Sequence, residues 1–587
     1  MKRIRYVVLA LLPVMAALAQ ADITYAVKAD PTEKKLLVTV EIPSVKDSVQ
    51  VQMPNWAPGA YMLVDSWKNV ADFKALDGKG KDATVEKPND YTWKLTGANG
   101  RFKVTYSVPN SPVDGAMHFS GPSTYVYVVD RKQERCLLTI TGPDEKWPVA
   151  IGLDEVKGKP GSYIAKDYDV LADNPATMGA FDLDSYDYGG KPHYIAYRGA
   201  AKNQVDKDRV KAACLAITEV QCKFFGSQPY NRYVWHFSVR EGVDGAGGLE
   251  HLSSTQISMA SGAGPGVIRV YSHEFFHLWN VKRIRSKPLG PFDYTQLPKT
   301  GALWFLEGVT DYYANVLLAR AGWDSEADFY TELMGNVNGV RANPARLEVS
   351  PYDSSLRVGE AANGRGNSNG YRVSYYNTGW LCGLVLDLEI RSKSGGKHSL
   401  DDVCRALWQL CKDDKPGFEE DEIRKQCIKF GGESLGEFYD RVVMKPGEIP
   451  VEDALATMGL EIKEVDEPTL VWPFGWVSDR EKGGARVRRV EDSANKELQE
   501  GDIIVEINGK PTSGKTGAQI TGRVNAAMKG VKADSDVTIK VDREGVTHVA
   551  VIKPTSTNRK VKKITERGPV TRELVEARKS WIGVKSR

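Results

Sequence analysis

Hydrophobic and polar residues alternate in short runs over the first part of the chain. "KLLVTVEI" (35–42) and "FKVTYSV" (102–108) have the period of two that turns one face of a strand to a core and the other to water. Between such runs, "PNWAPGAY", "DGKGKD" and "GANG" supply turn formers. The pattern predicts an N-terminal β-sandwich over residues 22–179, with no nucleophile or ligand cluster of its own. From about Pro192 the period lengthens. "VKAACLAITEVQCKFFG" reads as an amphipathic helix and "YVWHFSVRE" as a strand. After the glycine-rich "VDGAGGLEHLSSTQIS" come two helical stretches, "VIRVYSHEFFHLWN" and "GALWFLEGVTDYYANVLLARAG". Further helices are expected at 377–391, almost wholly apolar and so buried, and at 400–412, started by a capping box of Ser399 and Asp402. Strands leading into a helical bundle predict an α+β catalytic region over 180–449. From Pro450 short strands return in "ARVRRV", "DIIVEINGK", "DVTIKVDREG" and "THVAVIKP". They make a further domain over 450–557. The basic residues 558–587 are expected to run over the surface as an extension.

The N-terminus changes the setting. Lys2, Arg3 and Arg5 precede an apolar run from Tyr6 to Leu18, which ends in Ala19-Gln20-Ala21. This is the pattern of a secretory signal peptide over 1–21, with cleavage before Asp22. No later segment is long and apolar enough to span a bilayer. The mature chain is therefore expected to be exported, in a bacterial setting to the periplasm, without stable membrane insertion. A net charge of +3 with no basic stripe among aromatics argues against nucleic acid as a partner. Seven cysteines are too few and too dispersed for a disulfide scaffold, and Cys404, Cys411 and Cys427 are the natural source of any local pair.

The candidate chemistry lies in "YSHEFFHLWN", 271–280. Four residues apart on a helix, His273 and His277 share a face and can aim their ring nitrogens at one point. Glu274 is placed to take a proton from a water held there, which is the mechanical content of H-E-x-x-H. Catalytic zinc takes three protein ligands and keeps a position open. No further histidine follows at metal-ligand spacing, but Glu307 lies on the next helical segment, where a buried carboxylate without a partner would be costly. Asp311, four residues on, can hydrogen-bond the far nitrogen of a ligand histidine. One zinc ion held by His273, His277 and Glu307 is the expectation. An oxyanion donor is also required, and Tyr375 and Tyr376 in "VSYYNTG" both qualify.

"SHEFFHLWNVKRIRSKPLGPFDY", "LWFLEGVTDYYA" and "YYNTGWLCGLVLDLEIR", with "MPNWAPGAY" and "DYDVLADNP", resemble the glycyl aminopeptidase family of zinc metallopeptidases. The resemblance implies an N-terminal β domain, a thermolysin-like α+β catalytic domain with a helical bundle, and a C-terminal PDZ domain. "LQEGDIIVEINGKP" is similar to the corresponding part of a PDZ domain, with "WPFGWV" in the place of its carboxylate-binding loop. Such a domain would take a peptide tail as an added strand, or pack within the chain. The resemblance also implies zinc ligation by the three residues above and Glu274 as general base. In the wider group that includes aminopeptidase N, a Tyr-x-Lys-Gly tyrosine stabilises the intermediate. "YNTG" matches it with Tyr376, a threonine replacing the lysine. A Gly-x-Met-Glu-Asn strand there binds the substrate amine, and "GGLEH" puts Glu250 in the glutamate position. The implied activity is removal of a small first residue, Gly or Ala, from peptides with a free N-terminus. Two rivals stand beside it: an exported zinc endopeptidase whose PDZ-like domain captures protein tails, and a noncatalytic peptide-binding protein.

Overall fold

The computed structural model describes residues 22–583 apart from 61, 145–146, 241–244, 261–264, 359–372 and 492–496. The expected signal peptide and the glycine-rich stretch before Tyr375 lie outside the described residues. Over Ile23–Asp30 and Lys35–Val45 buried and more exposed positions alternate, as the period of two requires. These two strands pair antiparallel, and the first also pairs parallel with Cys136–Thr141. They form the middle of a seven-stranded sheet, and Ser48–Gln52 and Thr92–Thr96 belong to a four-stranded one. Val38, Val40 and Phe102 of the first sheet share one core with Val51, Trp93 and Leu95 of the second. Phe292 and Tyr294, more than a hundred residues further along, are buried in that same core. The N-terminal β-rich region and the central region thus meet through a continuous apolar contact.

The central region is α+β. Its five-stranded sheet runs in the order 182–188, 191–198, 233–240, 254–260, 246–250, so that Ala246–Glu250 is an edge strand, antiparallel to its neighbour. The helix Lys207–Phe225 is capped by the Asp206 carboxylate, which accepts from Arg209 N–H at 3.0 Å, and is ended by Gly226 in the left-handed region. Tyr375–Lys393 is a buried helix, as its apolar composition predicts. Leu400–Cys411 begins with the Asp402 carboxylate accepting from Ser399 N–H at 3.0 Å.

The C-terminal β/α region has its own core, with Val487, Ile504 and Ile539 from the sheet against Ile520 and Val524 of the helix Gly517–Met528. It is carried on a two-stranded antiparallel ribbon of Leu460–Val471 and Thr555–Glu566. Beyond the ribbon the chain departs from the expected surface extension. Thr571 caps a helix, Arg572–Ile582, and Gly583 at φ 74° ends it. Trp581 and Ile582 are buried in the central core. Trp581 Nε1 donates to Tyr312 Oη at 2.8 Å, and Arg320 Nε donates to the Trp581 carbonyl at 2.9 Å. The tail's lysines and arginines obscure this, because only one face of an amphipathic helix need be apolar to dock. All seven cysteines, Cys404, Cys411 and Cys427 included, are buried free thiols, and no disulfide forms.

Candidate active site

The helix Pro265–Phe276 carries His273 and Glu274, and a bond of 3.3 Å from His277 N–H to His273 O continues its geometry one residue further. Phe275 and Phe276 are fully buried, Phe275 against Tyr233 and Trp235, Phe276 against Phe225 and Tyr313. That anchorage turns the two imidazoles together, with Nε2 atoms 2.9 Å apart. His277 Nδ1 donates to the backbone carbonyl of Asn280 at 2.7 Å, which leaves its Nε2 free to coordinate. His273 Nδ1 lies 2.7 Å from Asp311 Oδ1.

Glu307 arrives on a π-helical turn, Trp304–Val309, an irregularity that recurs at functional sites. Its Oε2 is 3.5 Å from His273 Nε2 and 3.3 Å from His277 Nε2. The turn is fixed from two sides. Asn280 Nδ2 donates to the Phe305 carbonyl at 3.0 Å and to Thr310 Oγ1 at 2.9 Å. Gly308 packs on Gly379 of the helix Tyr375–Lys393.

Three ligand atoms at mutual separations of 2.9, 3.3 and 3.5 Å fit a tetrahedral cation. Bonds of about 2.0 to 2.1 Å place neighbouring ligands about 3.3 Å apart. Electrostatics agree. Burial disfavours the charged form of both imidazoles, yet Asp311 and Glu307 hold His273 well above its ordinary range and Glu307 raises His277. Burial likewise opposes the Glu307 carboxylate, and the two histidines outweigh it and hold Glu307 low. The site favours positive charge between these side chains.

Glu274 faces the cleft beside them. Burial, with Glu250 and Glu307 adding to it and the two imidazoles opposing, pushes its carboxyl up to about 7. The edge strand Ala246–Glu250 passes so close that a Cβ on Gly248 would lie 2.3 Å from Glu274 Cδ. The absence of a side chain there is what lets the carboxylate stand beside the strand. Gly247, Gly248, Leu249, Arg269, Glu274 and Tyr376 are among the residues lining a cleft of about 500 Å³, closed on another side by Gly59, Ala60 and Met62 of the N-terminal region. Tyr376 lies on the cleft with its ring centroid 6.1 Å from that of His273, whereas Tyr375 is buried behind it and stacked on it at 4.9 Å. Burial first and Glu307 second keep the Tyr376 phenol protonated, hence a donor.

Glu250 sits at the inner end, buried, with a carboxylate oxygen within 4.8 Å of ligand atoms of Glu274 and His277. Its Oε1 has no hydrogen-bond partner among the described residues, and the nearest cation, Lys282 Nζ, is 3.7 Å away. Gly59 presses on it from the N-terminal region, where a Cβ would fall 2.7 Å from Glu250 Oε1.

Every candidate read from the sequence, His273, Glu274, His277, Glu307, Asp311, Tyr376 and Glu250, is at or beside this cleft. Gly59, which lines the cleft, and Asn280, Lys282 and Asp173, which lie behind its residues and do not line it, were missed. Asn280 stands in the same ten-residue stretch as the histidines, and a lone amide closing an aromatic helix was the signal available. "DYDVLADNP", which contains Asp173, carried no chemical signal of its own.

Comparison with known proteins gives two family-model matches and a likeness of fold. The model of the Peptidase M61 N-terminal domain matches residues 24–180 and that of M61 glycyl aminopeptidase matches residues 266–382. No curated protein matches the chain. The crystal structure of an aminopeptidase N family protein from Idiomarina loihiensis is similar in fold, with a TM-score of 0.73, 22% identity, and coverage of 95% of this chain and 100% of that one. An M1 zinc metallopeptidase from Deinococcus radiodurans aligns with a TM-score of 0.46 and 12% identity, over 73% of this chain and 95% of that one.

Proposed function

Starting from a zinc metallopeptidase of the M61 glycyl-aminopeptidase family, we propose that the chain is an aminopeptidase that removes one small residue, Gly or Ala, from the free N-terminus of a peptide. His273, His277 and Glu307 would hold one zinc ion. Bound there, zinc supplies Lewis-acid polarisation of the scissile carbonyl and acidifies water.

The chain's own residues do the rest. Glu250 accepts hydrogen bonds from the substrate α-ammonium group and sets the register. Glu274 takes a proton from the attacking water and returns it to the leaving nitrogen. Tyr376 donates a hydrogen bond from its phenol to the oxygen on which negative charge develops. Asp311 and the Asn280 carbonyl keep the two imidazoles oriented. The C-terminal β/α region is read as PDZ-like. Its edge strand Phe474–Asp479, paired on one side only among the described residues and flanked by the helix Gly517–Met528, is suited to take a peptide tail as a further strand.

The observation that carries the reading is the position of Glu250 within 4.8 Å of Glu274 and His277. In an α-amino acid the amine is one carbon removed from the carbonyl that is attacked. A carboxylate that recognises the amine must therefore stand beside the base, and this one does. The test is hydrolysis of glycyl and alanyl peptides compared with their N-acetylated forms. Blocking the amine should nearly abolish cleavage. Equal cleavage of the two would exclude an aminopeptidase and favour internal cleavage.

A further inference from the structure

Beneath Glu250 a second charged group is held under unusual restraint. Lys282 is buried, and its Nζ lies 2.9 Å from Asp173 Oδ1 but 3.7 Å from Glu250 Oε1. Two buried carboxylates therefore compete for one ammonium, and the more distant of them in sequence holds it at hydrogen-bond distance. Asp173 belongs to the N-terminal region and is itself immobilised. Its Oδ2 accepts from Leu252 N–H at 2.9 Å, and its Oδ1 accepts from His251 Nδ1 at 3.0 Å. The other nitrogen of His251 accepts from Gln256 Nε2 at 2.8 Å, and Gln256 Oε1 meets His118 of the N-terminal region. His251 and Leu252 directly follow Glu250, so Asp173 grips both the strand end that bears Glu250 and the lysine beside it.

We propose that Asp173 is a positioning residue for the amine end of the site: it holds the Lys282 ammonium off Glu250, so that Glu250 keeps an unneutralised charge for the α-ammonium of the substrate. Among the described residues one ammonium, that of Lys282, faces the two carboxylates of Asp173 and Glu250. One monovalent cation completes the set, and Glu250 Oε1, buried and without a hydrogen-bond partner among the described residues, is where it is missing a donor. Were Lys282 released from Asp173, it would close onto Glu250 and compete with substrate inside a buried pocket, where the attraction between unit charges is little screened. The ionisation of the pair agrees with this assignment. Burial would raise the Asp173 carboxyl, but Lys282 and His251 hold it low; burial would lower Lys282, but Asp173 and then Glu250 raise it.

This rests on Glu250 as the amine site, and the experiment separates the two. The full-length chain with zinc bound is assayed on an alanyl peptide and on its N-acetyl form, as wild type, Asp173→Asn, Lys282→Met and the double variant, each checked for folding by thermal unfolding. Asp173→Asn frees Lys282 and should raise KM for the free-amine peptide roughly tenfold or more, with kcat within about threefold of wild type. In the double variant no lysine remains to neutralise Glu250, and KM should return to within about threefold of wild type. A structural role alone predicts the opposite, damage that accumulates. An unchanged KM in Asp173→Asn, or a double variant no better than Asp173→Asn, overturns the proposal. If Asp173→Asn does not fold, Lys282→Met decides: a retained KM supports competition, whereas a rise of about tenfold means that Lys282 holds Glu250 in place and overturns it. A wild type that cleaves the acetylated peptide equally well removes the aminopeptidase reading and this proposal together.

Discussion

Gly308 and Gly379 cross with no room for a methyl group between them: a Cβ on Gly308 would lie 2.5 Å from Gly379 Cα, and a Cβ on Gly379 would lie 2.1 Å from the Trp304 carbonyl oxygen. Gly308 follows Glu307 on the π-helical turn, and Gly379 stands three residues after Tyr376. The crossing therefore sets the distance between the candidate carboxylate ligand Glu307 and the proposed oxyanion donor. Gly308→Ala and Gly379→Ala should each destabilise the fold by about 1 to 3 kcal/mol through overpacking. Displacement of Glu307 should also weaken zinc binding about 10- to 100-fold, a loss of the size seen when the supports of metal ligands are removed. Competition titration against a chelator measures the affinity, and denaturant unfolding the stability.

Gly248→Ala is expected to behave differently, because the atoms it meets are the flexible end of Glu274 and not backbone. The side chain can yield, so the unfolding midpoint should stay within a few degrees of wild type. The base would move by about an ångström, and kcat should fall roughly 100-fold. A variant with unimpaired kcat would show that Glu274 is not held to its place by the strand.

Glu274→Gln keeps the shape of the side chain and removes its capacity to accept and return a proton. Zinc content by elemental analysis should match wild type, since His273, His277 and Glu307 are intact. Turnover should drop by about 10² to 10⁴. Chelation of the wild-type protein should abolish activity and lower its unfolding temperature, with both restored by added zinc.

The docked C-terminal helix predicts a long-range effect on stability. Trp581 is fully buried and bonds Tyr312, whose residue follows Asp311 in the chain. Trp581→Ala should cost about 3 to 5 kcal/mol. Calorimetry of that variant should show a correspondingly lower transition, whereas Lys579→Ala, at an exposed position of the same helix, should shift it little.

The candidate metal ligands were legible because their relationship is local. His273 and His277 are joined by helical spacing alone, and Glu307 is a lone carboxylate in the apolar run "LWFLEGV". The choice between Tyr375 and Tyr376 was open from residue type and spacing, since adjacent positions on a helix point in different directions and only packing decides which one meets the cleft. The docking of 572–582 was obscured by its charge. Arg572 and Lys579 face water and Arg578 pairs with Glu566, while Trp581 and Ile582 turn inward.

By itself the sequence determined the helix periodicity, the order of β-rich, α+β and β/α regions, and the chemical inventory of two imidazoles and a carboxylate beside a base. These follow from short-range repeat and residue type. Only the tertiary structure decided that Asp173 would meet Lys282 across a separation of 109 residues, that Gly59 would close over Glu250, and that glycines would face each other behind Glu307. Such contacts depend on how whole elements pack. A buried charge takes its partner from whatever the fold brings within a few ångströms, and no local pattern along the chain encodes that neighbour.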